Sequence, residues 1–205
     1  MVLGFCIMAF IGCAQREIKN IDSQGEVIVC FGDSLTFGYG AEPNQDYPGI
    51  LSRLSGWQVI NAGVSGNTSV EALLRLNADV LEKKPFLAII EFGPNDFLTK
   101  VSLQETEKNV CIMIDQVQAR GAMVAIIDIS TGPLFQEYRA LYQRLAREKG
   151  VVFIPGVFLG IITNPSLKSD FLHPNSRGYR IIAGRIYQAL LPYVEHNSRS
   201  RKIKK

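Results

Sequence analysis

Short apolar runs alternate regularly with longer helical patterns along this sequence, and this alternation limits the folds that the chain can adopt. Five near-continuous apolar runs occupy residues 27–31, 59–61, 86–92, 123–129 and 151–154. Helical patterns occupy residues 47–54, 69–83, 103–120, 133–149 and 176–193. Strands that are apolar on both faces are typical of a parallel sheet covered by helices. We therefore predict an α/β fold, a three-layer α/β/α arrangement around a five-stranded parallel, flavodoxin-like sheet.

The size and composition of the chain indicate one folded domain. The chain has 205 residues, of which 47% are hydrophobic and 20% charged, an ordinary globular mixture. We place the domain at residues 26–194, with a short tether at 14–25 before it and a basic, disordered tail at 195–205 after it. Much of the excess positive charge lies in that tail, and the net charge of +3 is too small to indicate a nucleic-acid partner.

Residues 1–13 have the pattern of a targeting segment. The apolar run 2–12 is shorter than the roughly 20 residues that a membrane-spanning helix needs, but it suits the core of a signal peptide. It ends in Phe-Ile-Gly-Cys, which resembles a bacterial lipobox, although no Lys or Arg precedes the run and Phe10 stands where Leu is usual. We predict a lipoprotein of the bacterial cell envelope, anchored to the membrane through Cys13. Secretion without an anchor and a buried or interfacial helix are the alternatives.

Neither the cysteines nor the histidines form a metal-binding pattern. The chain has two histidines, and its cysteines lack CxxC spacing: Cys6, Cys13, Cys30 and Cys111. We therefore predict no metal site and no cofactor.

A Gly-Asp-Ser-Leu turn at residues 32–35 directly follows the first predicted strand. Ligands of parallel sheets bind beyond the carboxyl ends of the strands. A serine at such a strand-to-helix turn can expose its hydroxyl, and the following helix offers backbone N–H groups to a negative oxygen. Ser34 is thus a candidate nucleophile; the alternative is that it only caps the helix.

Two further loops follow the second and third strands and offer hydrogen-bond donors. Gly66, in the stretch Ser-Gly-Asn-Thr-Ser, can turn its backbone N–H toward an anion, with Gly63 as a rival. A flavodoxin-type phosphate loop is an alternative for this stretch, but that loop belongs after the first strand. Asn95, in Gly-Pro-Asn-Asp, can donate from its side chain, or can simply occupy a turn.

An Asp-Phe-Leu-His-Pro stretch precedes the last predicted helix. Asp170 and His173 can lie on one side of a single turn, where the carboxylate would orient the imidazole and stabilise its protonated form. Pro174 favours an extended His173. A structural histidine is the alternative.

These four blocks, in this order, resemble the SGNH hydrolases, also called the GDSL esterase/lipase family. The resemblance covers residues 26–194 and is strongest to the bacterial multifunctional thioesterase/lysophospholipase group and related arylesterases. It implies that Ser34 is the nucleophile, His173 the general base and Asp170 the residue that orients it. It also implies an oxyanion hole made of the backbone N–H groups of Ser34 and Gly66 and the side chain of Asn95.

The resemblance implies a serine ester hydrolase that cleaves carboxylic esters or thioesters through an acyl-serine intermediate. Acyl esters, lysophospholipids and aryl esters are the expected small-molecule substrates, and a carbohydrate acetylesterase of the same family is the alternative. A non-enzymatic, flavodoxin-like binding module is the second alternative. Pro94 stands where the group usually has Gly, which predicts a stiffer loop and a narrower pocket. We expect six apolar residues near the site to line an acyl groove: Phe97, Leu98, Phe158, Leu159, Ile161 and Ile162.

Overall fold

The computed structural model describes residues 17–203, so the predicted signal segment and Cys13 lie outside the described residues. The described residues form a five-stranded, wholly parallel sheet with the strand order β2-β1-β3-β4-β5. The strands are β1 Val27–Gly32, β2 Val59–Gly63, β3 Pro85–Glu91, β4 Met123–Ile127 and β5 Val152–Ile154. All five predicted strands are present, with ends shifted by one or two residues.

The described part of the chain has seven α-helices around the sheet. They are α1 Ser34–Phe37, α2 Tyr47–Ser55, α3 Ser69–Asp79, α4 Pro94–Leu98, α5 Leu103–Ala119, α6 Gln136–Lys149 and α7 Ser176–Ile203. Helix α2 packs on α7, whereas α3 and α6 both contact α5. The three predicted layers, the α/β class and the flavodoxin-like strand order are confirmed.

Three predicted helix boundaries are wrong, and the third, the end of α7, is described below. The helix predicted at 69–83 ends at Asp79, and a separate 3₁₀ turn, Leu81–Lys83, follows it. The helix predicted from residue 133 begins at Gln136, because Phe135 adopts a left-handed conformation with φ of 62° that cannot belong to a helix.

The sheet reverses its winding between β1 and β3, and this switch point positions the site. The chain adds β2 on one side of β1 and then crosses to the other side to form β3. Both central strands are fully buried. A crevice therefore opens at the carboxyl ends of β1 and β3, where parallel sheets bind ligands.

The prediction of a disordered tail from residue 195 is wrong as far as residue 203, because α7 continues to Ile203. Asn197 is buried, and its side-chain amide donates to the carbonyls of Ile21 and Ser23, at 2.8 and 2.9 Å. These bonds join the end of α7 to the segment before β1. The sequence pattern did not indicate them, since 174 residues separate Asn197 from Ser23.

The prediction of a tether at 14–25 is also wrong for its described part, residues 17–25. The backbone N–H of Lys19 donates to the Gly150 carbonyl at 2.8 Å. The Asn20 side chain donates to the carbonyls of Gln118 and Ala122, at 2.9 and 3.0 Å, and so satisfies acceptors at the end of α5. The segment therefore lies along the amino-terminal edge of the sheet. Within residues 17–203, no helix combines the length and apolar character that crossing a membrane requires.

Candidate active site

Ser34, His173 and Asp170 form a continuous hydrogen-bonded line. The Ser34 hydroxyl lies 3.0 Å from Nε2 of His173. Nδ1 of the same ring lies 2.8 Å from Oδ2 and 3.0 Å from Oδ1 of Asp170. Ser34 and His173 are 139 positions apart in the sequence, and the fold brings them together at the carboxyl end of β1. This is the arrangement that activates a hydroxyl nucleophile.

The Asp170 carboxylate is fixed by its own turn as well as by the imidazole. Oδ1 accepts the backbone N–H groups of Leu172 and His173, at 2.7 and 2.8 Å. Slight burial opposes ionisation, but the hydrogen bonds from the His173 ring and from these two N–H groups lower the pKa of Asp170. The carboxylate therefore stays ionised at neutral pH and can stabilise an imidazolium.

The alternative that Ser34 merely caps a helix is wrong. The N-cap of α1 is Asp33, whose side chain accepts the backbone N–H of Leu35 at 2.9 Å. Ser34 is the first residue inside the helix, and its hydroxyl is directed to the imidazole. The Tyr39 ring packs against the His173 ring, with centroids 4.5 Å apart, and restrains it from the other side.

The structure distinguishes between Gly66 and Gly63, the two candidate donors to an anion. Gly66 has φ of 82°, and a side chain there would meet no neighbour, so its backbone is open to the cavity that it lines. The N–H of Gly63 donates instead to the Asn61 side chain at 2.9 Å. Any side chain at position 63 would collide with the Phe37 backbone, so Gly63 is required for packing.

Asn95 lines the same cavity as Ser34, and its side-chain amide already has hydrogen-bond acceptors. Its nitrogen donates to Oδ2 of Asp33 at 3.0 Å and to the Asn67 carbonyl at 3.1 Å. Asn95 is the second residue of the short helix α4, which Pro94 begins after Gly93, a glycine with φ of 128°. The amide therefore connects the loops that follow β1, β2 and β3.

Asp96 and Arg75 hold these loops together, and no sequence pattern indicated this role for either residue. The buried Asp96 accepts the Ser69 backbone N–H at 2.9 Å and the Thr106 hydroxyl at 2.9 Å. The Arg75 guanidinium donates to the carbonyls at the ends of β1 and β2 and, at 2.6 Å, to the Asn67 side chain. No local pattern distinguishes Arg75 from an ordinary polar residue of an amphipathic helix.

An apolar cavity of about 410 Å³ opens beside the Ser34 hydroxyl. Four of the six predicted groove residues line it, namely Phe97, Leu98, Phe158 and Ile162. The prediction is wrong for Leu159, which lines a different surface depression, and for Ile161, which is wholly buried in the core. The wall includes six further residues that the sequence did not indicate: Tyr39, Ile129, Thr131, Leu134, Phe135 and Leu172. Most of these come from irregular loops, whose shape no periodicity indicates.

The described residues contain no group of three or more His, Cys, Asp or Glu side chains that could hold a metal ion. Cys30 is buried in β1 and Cys111 is half-buried in α5; burial raises the pKa of both thiols and so disfavours the reactive thiolate.

A family model described as the GDSL-like Lipase/Acylhydrolase family matches residues 30–181, which include all of the loops described above. The chain belongs to this family. It is an ester hydrolase of the SGNH type, and its fold is the one that solved members of the family share. One relative of this GDSL-family enzyme is "Thioesterase 1/protease 1/lysophospholipase L1" of Escherichia coli, which is 30% identical over 84% of this chain and 87% of its own length.

A solved GDSL-type neighbour is the esterase EstA of Pseudoalteromonas, a structure inhibited by monoethylphosphonate. It has a TM-score of 0.75 and 25% identity, over 83% of this chain and 99% of its own. A further relative is the Bacillus subtilis protein named "Uncharacterized lipoprotein YqeF". It is 36% identical, but over only 59% of this chain and 52% of its own length.

Proposed function

We propose that this GDSL-family enzyme hydrolyses fatty-acyl esters and thioesters, with Ser34 as the nucleophile. The observation that carries the proposal is the hydrogen-bonded line from Asp170 through His173 to Ser34, which ends beside the apolar cavity. A nucleophile next to an apolar wall suits a substrate with a carbonyl at one end and a hydrocarbon chain at the other.

The first half of the reaction forms an acyl-enzyme. Nε2 of His173 accepts the hydroxyl proton as Oγ of Ser34 attacks the carbonyl carbon of the ester. Asp170 stabilises the imidazolium that results. The imidazolium then donates its proton to the leaving alcohol or thiol, and the ester bond becomes an acyl-serine. In the second half, His173 takes a proton from water, which attacks the acyl-serine and releases the acid.

Three donors would stabilise the tetrahedral oxyanion: the backbone N–H groups of Ser34 and Gly66 and the Asn95 amide. Ser34 begins a helix, so its N–H has no acceptor within that helix. The Asn95 amide has two hydrogens and already contacts two acceptors, Asp33 and the Asn67 carbonyl. A small rotation that weakens one of these bonds would give the oxyanion its third donor as the negative charge develops.

The cavity favours an acyl chain over a sugar. Its wall is mainly aliphatic and aromatic, with Phe97, Leu98 and Leu134 more than half exposed at its rim. A carbohydrate acetylesterase would instead need polar groups placed to bind several hydroxyls. The name of the Escherichia coli relative includes both thioesterase and lysophospholipase, which supports long acyl esters and thioesters as the substrate class.

The location that we propose is the bacterial cell envelope, with the enzyme anchored through a lipidated Cys13. The lipobox-like sequence supports an anchor, as does the relative that is named a lipoprotein. Residues 17–25 run along the amino-terminal edge of the sheet, whereas Ser34 lies at the carboxyl-terminal edge. The described segment that follows the proposed anchor therefore lies at the edge of the sheet opposite the active site.

The substrate class is tested with p-nitrophenyl esters of increasing chain length, alongside an acyl-CoA, a lysophospholipid and an acetylated sugar. Activity should rise from acetyl to medium or long acyl chains. A clear preference for the acetylated sugar would instead support the carbohydrate esterase.

The anchor is tested separately, by mass spectrometry of the protein expressed with its native leader. A diacylated or triacylated peptide beginning at Cys13 is expected. A soluble product with an unmodified Cys13 would contradict the anchor and leave the esterase proposal intact.

A further inference from the structure

Two buried carboxyl groups lie at the carboxyl ends of the paired strands β1 and β3, and the reaction outlined above uses neither. Asp33 directly follows β1 and is 1% exposed, and Glu91 is the last residue of β3 and is 0% exposed. Within the described residues, neither carboxyl belongs to an ion pair. Two adjacent carboxylates without a cation repel each other strongly in a buried site.

The hydrogen bonds around Glu91 indicate that this side chain carries a proton. Its Oε2 accepts the Thr36 hydroxyl at 2.9 Å and the Asp33 backbone N–H at 3.4 Å. Its Oε1 is buried and has no donor among the described residues. A buried carboxylate oxygen without a donor is costly, whereas a protonated carboxyl can donate to its neighbour.

The pKa shifts of the two acids agree with a proton on Glu91 and a negative charge on Asp33. Burial raises the pKa of both groups, and the negative charge of Asp33, together with the hydrogen bond to it, raises that of Glu91 well above its ordinary value. Burial has the largest effect on Asp33 and raises its pKa to about 6; Asp96 adds to the rise, whereas the Leu35 N–H, Glu91 and His173 oppose it. Asp33 is thus the ionised member of the pair.

The contacts of Asp33 connect this pair to the proposed chemistry. Its Oδ2 accepts from the Asn95 amide at 3.0 Å, and its Oδ1 accepts from Leu35, the residue after Ser34. On the other side, Glu91 is held by Thr36, whose hydroxyl also lies 3.0 Å from the Tyr47 hydroxyl. A series of contacts therefore links the buried Tyr47, through Thr36 and Glu91, to the backbone N–H of Asp33, the residue whose side chain holds the Asn95 amide.

We propose that Glu91 is a positioning residue for ester hydrolysis: its protonated carboxyl donates to Asp33, and Asp33 in turn holds the Asn95 amide beside Ser34. The proton also leaves one negative charge, not two, beneath a site that must accept a negative oxygen. This role rests on the proposed esterase function. It predicts that a neutral side chain with both a donor and an acceptor can replace Glu91.

The test compares Glu91→Gln with Glu91→Leu. The Gln amide can donate to Asp33 while its carbonyl accepts from Thr36, so Glu91→Gln should keep most of kcat. Leu fills a similar volume and donates nothing, so kcat should fall about 10- to 100-fold with KM little changed, the pattern expected when an oxyanion donor is displaced. Active sites are counted with a reactive phosphonate, so that loss of folded protein does not count as loss of kcat.

The pH profile gives a readout that a purely structural role would not change. In the wild type, kcat should fall at alkaline pH as Glu91 loses its proton and the second charge appears. Glu91→Gln cannot ionise and should lack this fall. Glu91→Leu with wild-type kcat per titrated site would overturn the proposal, and so would Glu91→Gln with the defect of the Leu variant.

The infrared difference spectrum between the wild type and Glu91→Gln tests for the proton on Glu91 without relying on enzyme activity. The wild-type spectrum at neutral pH should contain the carbonyl band of a protonated carboxylic acid, and Glu91→Gln should lack that band. Absence of the band from the wild type would overturn the proposal even if the enzyme is an esterase. A wild type that cleaves no ester, or an active Ser34→Ala variant, would contradict the proposed esterase function, and these outcomes are separate from the infrared result.

Discussion

The Asn95 amide lies 3.0 Å from Oδ2 of Asp33, so the proposed oxyanion donor is bound to the residue immediately before the proposed nucleophile. Movement of one loop relative to the other would break this bond. The donor and the nucleophile are therefore positioned together, and the buried Asp96 fixes the same region to α3 and α5. Preorganisation of this kind is what allows a single hydrogen bond to contribute several kcal/mol to catalysis.

Asn95→Ala should lower kcat by roughly 10²- to 10³-fold with little change in KM, because the bond strengthens only as negative charge develops. Steady-state kinetics with a p-nitrophenyl ester measure both constants. Asn77→Ala, a change on the exposed part of α3, serves as the control. An effect confined to KM would make Asn95 a substrate-binding residue instead.

Phe97 and Leu159 offer a matched pair for the acyl cavity. Both are exposed apolar residues, at 55% and 41%, but only Phe97 lines the cavity. Phe97→Ala should lower kcat/KM for a long-chain ester by about 10-fold, since it removes part of an apolar contact surface, and should leave acetyl ester hydrolysis nearly unchanged. Leu159→Ala should affect neither substrate. Equal effects of the two variants would place the acyl chain elsewhere.

Glu91→Gln should change how stability depends on pH. The unfolded chain loses the Glu91 proton near the ordinary pKa of 4.5, whereas the folded protein retains it because its pKa is raised. Stability of the wild type should therefore fall as pH rises above 4.5, by at most about 1.4 kcal/mol per pH unit from this group, until the folded pKa is passed. Glu91→Gln has no such proton to lose, so its free energy of unfolding relative to that of the wild type should increase with pH.

Urea denaturation at several pH values measures this difference in the free energy of unfolding. Glu82→Gln, a change of the same chemistry on an exposed turn, is the control and should run parallel to the wild type. A constant difference between Glu91→Gln and the wild type across the neutral range would contradict a protonated Glu91.

Asn197→Ala should reduce the free energy of unfolding by about 1–3 kcal/mol, because the carbonyls of Ile21 and Ser23 lose a shared donor in a buried position. Thermal or urea denaturation measures the loss. Ser198→Ala, at the next position of α7, tests whether any change there has the same effect. Unaltered stability of Asn197→Ala would mean that the end of the helix does not support the domain.

The sequence indicated the parts of the site that have local signatures. Glycine and serine turns after apolar strands marked Ser34 and Gly66, and the Asp-x-x-His spacing marked the other two members of the triad, because each signal lies within a few neighbouring residues. The parallel sheet followed from the alternation of apolar runs with helical patterns. These features required no knowledge of distant contacts.

The residues that the sequence did not indicate act across long separations. Glu91 ends an apolar strand, and its partner Thr36 is 55 residues away. Asn197 lies in a stretch whose charge suggested a tail, and its bonds reach the segment before β1. The cavity wall around Phe135 depends on a left-handed backbone that ordinary side chains rarely adopt, so neither periodicity nor propensity predicts it.

The assignment of Ser34 as the nucleophile of an ester hydrolase is tested by the kcat of Ser34→Ala with the acyl ester that the wild type prefers. We expect kcat to fall by about 10⁶-fold while the folded structure is retained, as judged by circular dichroism. Ser166→Ala, a serine in an exposed turn outside the cavity wall, should behave as the wild type. A folded Ser34→Ala protein that keeps more than a few per cent of wild-type kcat would contradict the account.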